Sequence, residues 1–166
     1  EGVFKEKWRG IVLQRKNETY KGIVKFIRSN ISEVRLYYAV LQLSGIRYCF
    51  TKTDSVYIWT EGGYNIARYK YFYPIFIKVK EKDYQIFKEY CKRLNLKIGG
   101  KKGVFYSPEK VKEIEAVEKE GLFVEPLDIS IEFMKKNIYN FEPALEMIQE
   151  RYGKKLNIKY KEVNFL

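Results

Sequence analysis

Histidine is absent from all 166 residues, and that absence removes the commonest general base, the Ser-His and Cys-His nucleophile systems and the usual zinc ligand. Cysteine is nearly absent as well. Cys49 and Cys91 are too few for a disulfide framework and lack the CxxC spacing of a zinc site. Cys49 lies in an apolar, strand-like run and Cys91 on a helix face, which predicts two reduced core thiols. No apolar run reaches the roughly 18 residues that a membrane span needs, and the N-terminus lacks a signal-sequence pattern. A cytoplasmic protein is expected. The chain opens on Glu1 rather than Met, as a processed form or a fragment would.

Acidic charge is scarce in one part only. Residues 1–103 hold 22 Lys and Arg against 9 Asp and Glu, whereas residues 104–166 hold 10 against 12. A basic α+β module over 1–103 is thus expected to join a nearly neutral C-terminal extension over 104–166, packed on the same core. Concentrated positive charge favours a polyanionic partner, because Lys and Arg release counterions from phosphate. A Lys-rich, solvated surface of the thermophile kind gives the same composition. A chain of this length buries roughly 70% of its unfolded surface, so it needs no disulfide or metal to fold. Aromatic residues make up 17%, with 15 tyrosines. Tyrosine suits both sheets with one wet face and binding surfaces.

Along the chain, residues 3–13 and 20–28 read as the arms of a β-hairpin around a polar turn. Asn30 or Ser32 caps a mostly apolar, central helix over 33–44 that Gly45 ends. Short strands are expected at 46–51, 55–60 and 64–69, with Gly62-Gly63 as a hairpin turn between Ile58 and Ile66. The strongest strand runs over 73–80, with Pro74 tolerated near its start. Residues 81–94 form an amphipathic helix with Tyr84, Phe87, Tyr90, Cys91 and Leu94 on its apolar stripe. Residues 97–102 read as a flexible basic connector. Beyond it, Ser107-Pro108-Glu109 opens a helix that Gly121 closes, 122–124 is a short strand, Glu125-Pro126 or Asp128 begins a helix through Ile138, and Glu142-Pro143 begins a third that ends at Gly153. A terminal strand is expected at 159–163. The class is α+β: an antiparallel or mixed sheet with one buried central helix and an amphipathic helix, then a helical C-terminal segment.

Without histidine, catalysis rests on carboxylates, Lys or a thiolate; Asp54, Glu33 and Asp83 are the foremost catalytic candidates, and no metal ligand set is apparent. The order of a helix with Glu33, Asp54, then Ile75-Phe76-Ile77-Lys78 superficially resembles the PD-(D/E)xK nuclease core. That chemistry requires an acid two residues before its Lys, and Phe76 stands there instead. A LAGLIDADG endonuclease would need an acidic helix before Glu1-Gly2-Val3-Phe4. A nucleotidyltransferase would need paired acids on one strand. Neither signature is present, so Mg²⁺ or Mn²⁺ enters only with a divergent nuclease or other phosphoryl-transfer site, and no other cofactor is expected.

The Tyr37-Tyr38-Ala39-Val40-Leu41 helix before Gly45, the run Thr53-Asp54-Ser55-Val56-Tyr57-Ile58-Trp59-Thr60 and the Phe141-Glu142-Pro143-Ala144-Leu145-Glu146-Met147 helix resemble the part of abortive-infection type antitoxin regulators that follows their winged helix. The resemblance implies a DNA-associated regulator rather than an enzyme.

Cations and rings alternate at Trp8-Arg9, Arg47-Tyr48 and, most densely, over 68–73, where Arg68, Tyr69, Lys70, Tyr71, Phe72 and Tyr73 follow one another. Such a surface stacks bases on Tyr and holds phosphates with Lys and Arg; the same rings also suit a hairpin core. Lys78, Lys80 and Lys82 share one strand face, toward phosphate or as an edge guarded against aggregation. Lys101 and Lys102, with Lys97, can clamp a backbone or solubilise a linker. Phe133, Met134, Ile138, Leu145, Met147 and Ile148 cover the sheet or form a homodimer or partner surface. The expected function is non-catalytic nucleic-acid binding, DNA foremost, through Arg68, Lys70, Tyr71, Lys78, Lys80, Lys82, Lys101 and Lys102. A metal-dependent nuclease and a protein-interaction module are the alternatives.

Overall fold

The computed structural model describes residues 32–156 apart from Ala67 and Lys70. The expected N-terminal hairpin, with Trp8 and Arg9, and the expected strand at 159–163 lie outside the described residues. The described chain is an α+β fold: a five-stranded mixed sheet with five α-helices, the last two forming a C-terminal helical segment.

Helix α1 (Glu33–Ser44) starts where Ser32 adopts extended backbone and its hydroxyl accepts from the Arg35 amide. It ends at Gly45, whose φ of 71° suits a residue without a β-carbon. Strand β1 (Tyr48–Phe50) follows, and then α2 (Lys52–Trp59), β2 (Phe72–Lys80), a single 3₁₀ turn (Glu81–Asp83) and α3 (Tyr84–Arg93). Strands β3 (Gly103–Val111), β4 (Val117–Lys119) and β5 (Leu122–Val124) precede α4 (Leu127–Lys136) and α5 (Ile138–Tyr152).

The strand order is β3-β2-β1-β5-β4. Strands β2 and β3 are parallel and in register from Phe72 with Gly103 to Lys80 with Val111, with α3 as their crossover. Strand β1 runs antiparallel to β2 and parallel to β5. One sheet thus draws strands from both sides of residue 103. One face, carrying Phe50, Ile75, Ile77, Val79 and Tyr106, is covered by Leu36, Tyr37 and Leu41 of α1 and by Phe87 and Cys91 of α3. Tyr106 lies 4.7 Å from the Tyr37 ring and 5.4 Å from Phe87, and its hydroxyl donates to the Tyr37 carbonyl at 2.6 Å. A second cluster joins Val56 of α2 to Ile131, Met134, Phe141, Leu145 and Ile148. Met134, Leu145 and Ile148 are fully buried there, packed on α2 within this chain.

Local expectations are overturned at several places. Residues 55–60 are helical, not a strand, and Gly62-Gly63 is the exit of α2, not a hairpin turn. Helix α2 is enclosed on two sides, Val56 facing the second cluster and Ile58 the first, so apolar residues fall at alternate positions without a strand. Among the described residues of 64–68 none is in a strand; Tyr69 only bridges to Phe72. Residues 107–111 belong to β3 rather than opening a helix, because Val104, Phe105 and Tyr106 bury themselves in the sheet and outweigh the local Ser-Pro-Glu signal. The outer edge at Tyr106 bonds to residues 97 and 99. Two residues on, Pro108 therefore aims its nitrogen outward, where no ladder hydrogen bond is lost. Helix α5 begins at Ile138, so Pro143 lies inside it rather than at its start.

Candidate nucleic-acid interface

Asp54 is fully buried in the first turn of α2, where it ties three elements together. Its Oδ1 lies 2.7 Å from an Arg68 guanidinium nitrogen and accepts from the Tyr38 hydroxyl. Its Oδ2 accepts from the Phe76 amide at 2.6 Å, just where the pairing of β1 with β2 ends. Arg68 in turn donates to Asn65 (2.7 Å) and to the Pro74 carbonyl (3.2 Å), with its guanidinium 4.4 Å from the Tyr73 ring centroid. Burial raises the Asp54 carboxyl above its ordinary value, while the Arg68 charge and the three donors pull it down. Burial, then the Asp54 charge, pushes the Tyr38 hydroxyl well up.

This geometry makes Asp54 a structural anchor. It is closed to a substrate, and the other two catalytic candidates are elsewhere: Glu33 is exposed in the first turn of α1, and Asp83 sits half-buried in the 3₁₀ turn after β2. Among the described residues no three His, Cys, Asp or Glu side chains gather as a metal would need. Arg68 is turned inward, its side chain 2% exposed, so its charge is spent on Asp54 rather than offered to phosphate.

The strand-face lysines are also engaged. Lys78 lies 3.1 Å from the buried Glu125, whose carboxylate also accepts from the Thr51 hydroxyl, and Lys80 lies 3.7 Å from Glu113. Lys82 is exposed in the 3₁₀ turn. At about 3.3 Å per residue, Lys80 is some 26 Å along β2 from Phe72. These lysines belong to the other end of the sheet.

The starting end of β2 and β3 is different. Tyr69 and Phe72 exchange backbone hydrogen bonds of 3.1 and 2.9 Å, which makes a tight reverse turn with Tyr71 near its tip. The Tyr71 carbonyl accepts from the Gly103 amide at 2.8 Å, tethering the turn to the first residue of β3. On its other side β3 is clipped to the preceding loop: Tyr106 donates to the Lys97 carbonyl (2.9 Å) and accepts from the Gly99 amide (2.8 Å). Gly99, Gly100 and Gly103, with φ of 70°, 154° and 71°, let the chain reverse there. Lys101 and Lys102 stand exposed between the two clips, and a β-carbon on Gly103 would lie 3.5 Å from the Lys97 ammonium.

Tyr69, Tyr71 and Phe72 are 61%, 71% and 37% exposed. Phe72 rests on the Phe105 ring, centroids 5.9 Å apart. Neither 62–80 nor 94–108 contains an Asp or Glu, so the two segments that build this end carry no countercharge of their own. Of the residues expected to bind nucleic acid, Tyr71, Lys101 and Lys102 are brought together, whereas Arg68, Lys78, Lys80 and Lys82 are not, and Lys70 lies outside the described residues. Lys97 of the basic connector and Tyr69 and Phe72 of the ring-rich run over 68–73 complete the cluster.

No family model, no curated protein and no solved structure matches this chain. No helix among the described residues is long and apolar enough to cross a membrane.

Proposed function

We propose that this chain is a non-catalytic nucleic-acid-binding protein, a DNA-associated regulator, that meets its partner with the starting end of β2 and β3. One observation carries this reading: three exposed rings and three lysines from two acid-free segments are held side by side by backbone hydrogen bonds. Rings supply stacking surfaces and lysines neutralise phosphates, and the two together suit a nucleic acid better than either does alone. The burial of Asp54 under Arg68 and Tyr38 favours binding over phosphoryl transfer.

The test is fluorescence anisotropy of labelled DNA and RNA at two salt concentrations, with and without Mn²⁺, followed by a gel of the same samples. Binding that weakens steeply with salt and leaves the oligonucleotide intact supports the proposal. Absence of binding at low salt refutes it. Cleavage that requires Mn²⁺ replaces it with a metal-dependent nuclease.

A further inference from the structure

We infer that the nucleic acid recognised at this end is single-stranded, with unpaired bases stacked on Tyr69 and Tyr71 and the backbone held by Lys97, Lys101 and Lys102. This rests on the binding function proposed above and names its substrate class.

The argument is one of matching surfaces. A duplex presents phosphates and groove edges and keeps the faces of its bases covered by their neighbours. An exposed ring therefore gains little from a duplex, whereas any unpaired base offers it a π-face. Tyr69 and Tyr71 are more than half exposed, Phe72 lies beside them, and exposed aromatic clusters on soluble domains mark binding sites. Three lysines are a modest set for gripping a duplex by charge alone, because each phosphate neutralised adds only one increment to a salt-dependent affinity. Added to stacking, the same three suffice for a short single-stranded stretch.

The site is also prepared in advance. Arg68, next to Tyr69, is locked by Asp54, Asn65 and the Pro74 carbonyl; the tip is tied through Tyr71 to Gly103. Backbone held this way loses little freedom on binding, which raises affinity without new contacts. The backbone clips at residues 97 and 99 do the same for the lysine loop.

The experiment compares the whole chain with two variants, Tyr69→Ala/Tyr71→Ala and Lys101→Glu/Lys102→Glu, each checked for an unchanged circular dichroism spectrum and melting point. The probes are a labelled single strand of mixed sequence as DNA and as RNA, its duplex, and the same strand made abasic. The inference expects the single strand to bind about tenfold tighter than the duplex and the ring variant to lose about tenfold on the single strand, while its duplex binding stays unchanged. The abasic strand should bind the parent chain as weakly as the intact strand binds the ring variant. The DNA and RNA arms tell which sugar is preferred. Equal affinity for strand and duplex, with only the lysine variant impaired, overturns the stacking inference and leaves nucleic-acid binding standing. No affinity for any probe at low salt overturns both.

Discussion

Replacing Asp54 tests whether its carboxylate holds the fold or does chemistry. In Asp54→Ala the Arg68 guanidinium, with a side chain 2% exposed, becomes an unpaired buried charge. Breaking a buried pair from one side costs about 3–5 kcal/mol. The Phe76 amide, bonded at 2.6 Å, and the Tyr38 hydroxyl also lose their acceptor, which places the loss in the upper part of that range. Folded domains hold only about 5–15 kcal/mol in total, so a large share of stability disappears. With a urea slope of about 2 kcal/mol per molar, the unfolding midpoint falls by about 2 M. Urea titration followed by far-ultraviolet circular dichroism reads this directly. The double variant Asp54→Asn/Arg68→Gln removes both charges and keeps polar atoms, and it should be at least about 1 kcal/mol more stable than the sum of the single losses implies. A midpoint shift under about 0.5 M for Asp54→Ala would refute the anchoring role. So would an Asp54→Asn protein of unchanged stability that had lost a metal-dependent cleavage activity.

Three smaller perturbations probe other parts of the fold. Burial pushes the Cys49 and Cys91 thiols, 0% and 1% exposed, up to about 12; at pH 8 only about one in ten thousand is then thiolate, so a disulfide reagent should titrate no thiol until urea exposes both. Gly45→Ala should cost about 1 kcal/mol, and Gly45→Asn less, because φ is 71° with nothing within 4 Å of the new β-carbon; an unchanged melting point would remove the left-handed cap from the account. Hydrogen bonding from Lys119, then the Arg151 charge, lowers Glu61 below its usual range. Its stabilising effect is present above the unfolded carboxylate value of about 4.3 and is lost as pH falls through the lower folded value. Glu61→Gln should therefore flatten the melting-point profile at acid pH and leave its shape near neutrality unchanged.

Where the chain's own signals agreed with its surroundings, the sequence was readable. Ser32 and Gly45 bracket α1, Ile75, Ile77 and Val79 alternate along β2, and Gly153 ends α5 in left-handed backbone. Failures came where tertiary contacts outvoted local pattern. Lys52, at φ 52°, turns the chain out of β1 into a helix whose apolar residues then serve two clusters. Ser107-Pro108 looks like a helix start until β2 pairs alongside it in parallel register. The candidate interface was half legible. Residue types in 68–73 and 97–102 pointed to rings and cations, but their meeting depends on Phe72 lying opposite Gly103. Nothing local to Arg68 shows that its charge turns inward, since the partner that draws it, Asp54, belongs to a separate helix.

The middle strand of the sheet is among its shortest. Strand β1 offers three residues, yet it joins β2 on one side and β5 on the other. Its link to β5 sets Phe50 beside Val124, in step with a Thr51–Glu125 contact 74 residues apart. Synthesis at about 5–20 residues per second leaves that flank of β1 waiting roughly 4–15 s for its neighbour to emerge. During that interval β2 and then β3 are made, with β5 and the helices that follow it still to come. Completion of this sheet therefore waits for its last-made strand, and a ribosome stalled before residue 124 would display an open, apolar strand edge to whatever chaperone or neighbour is at hand.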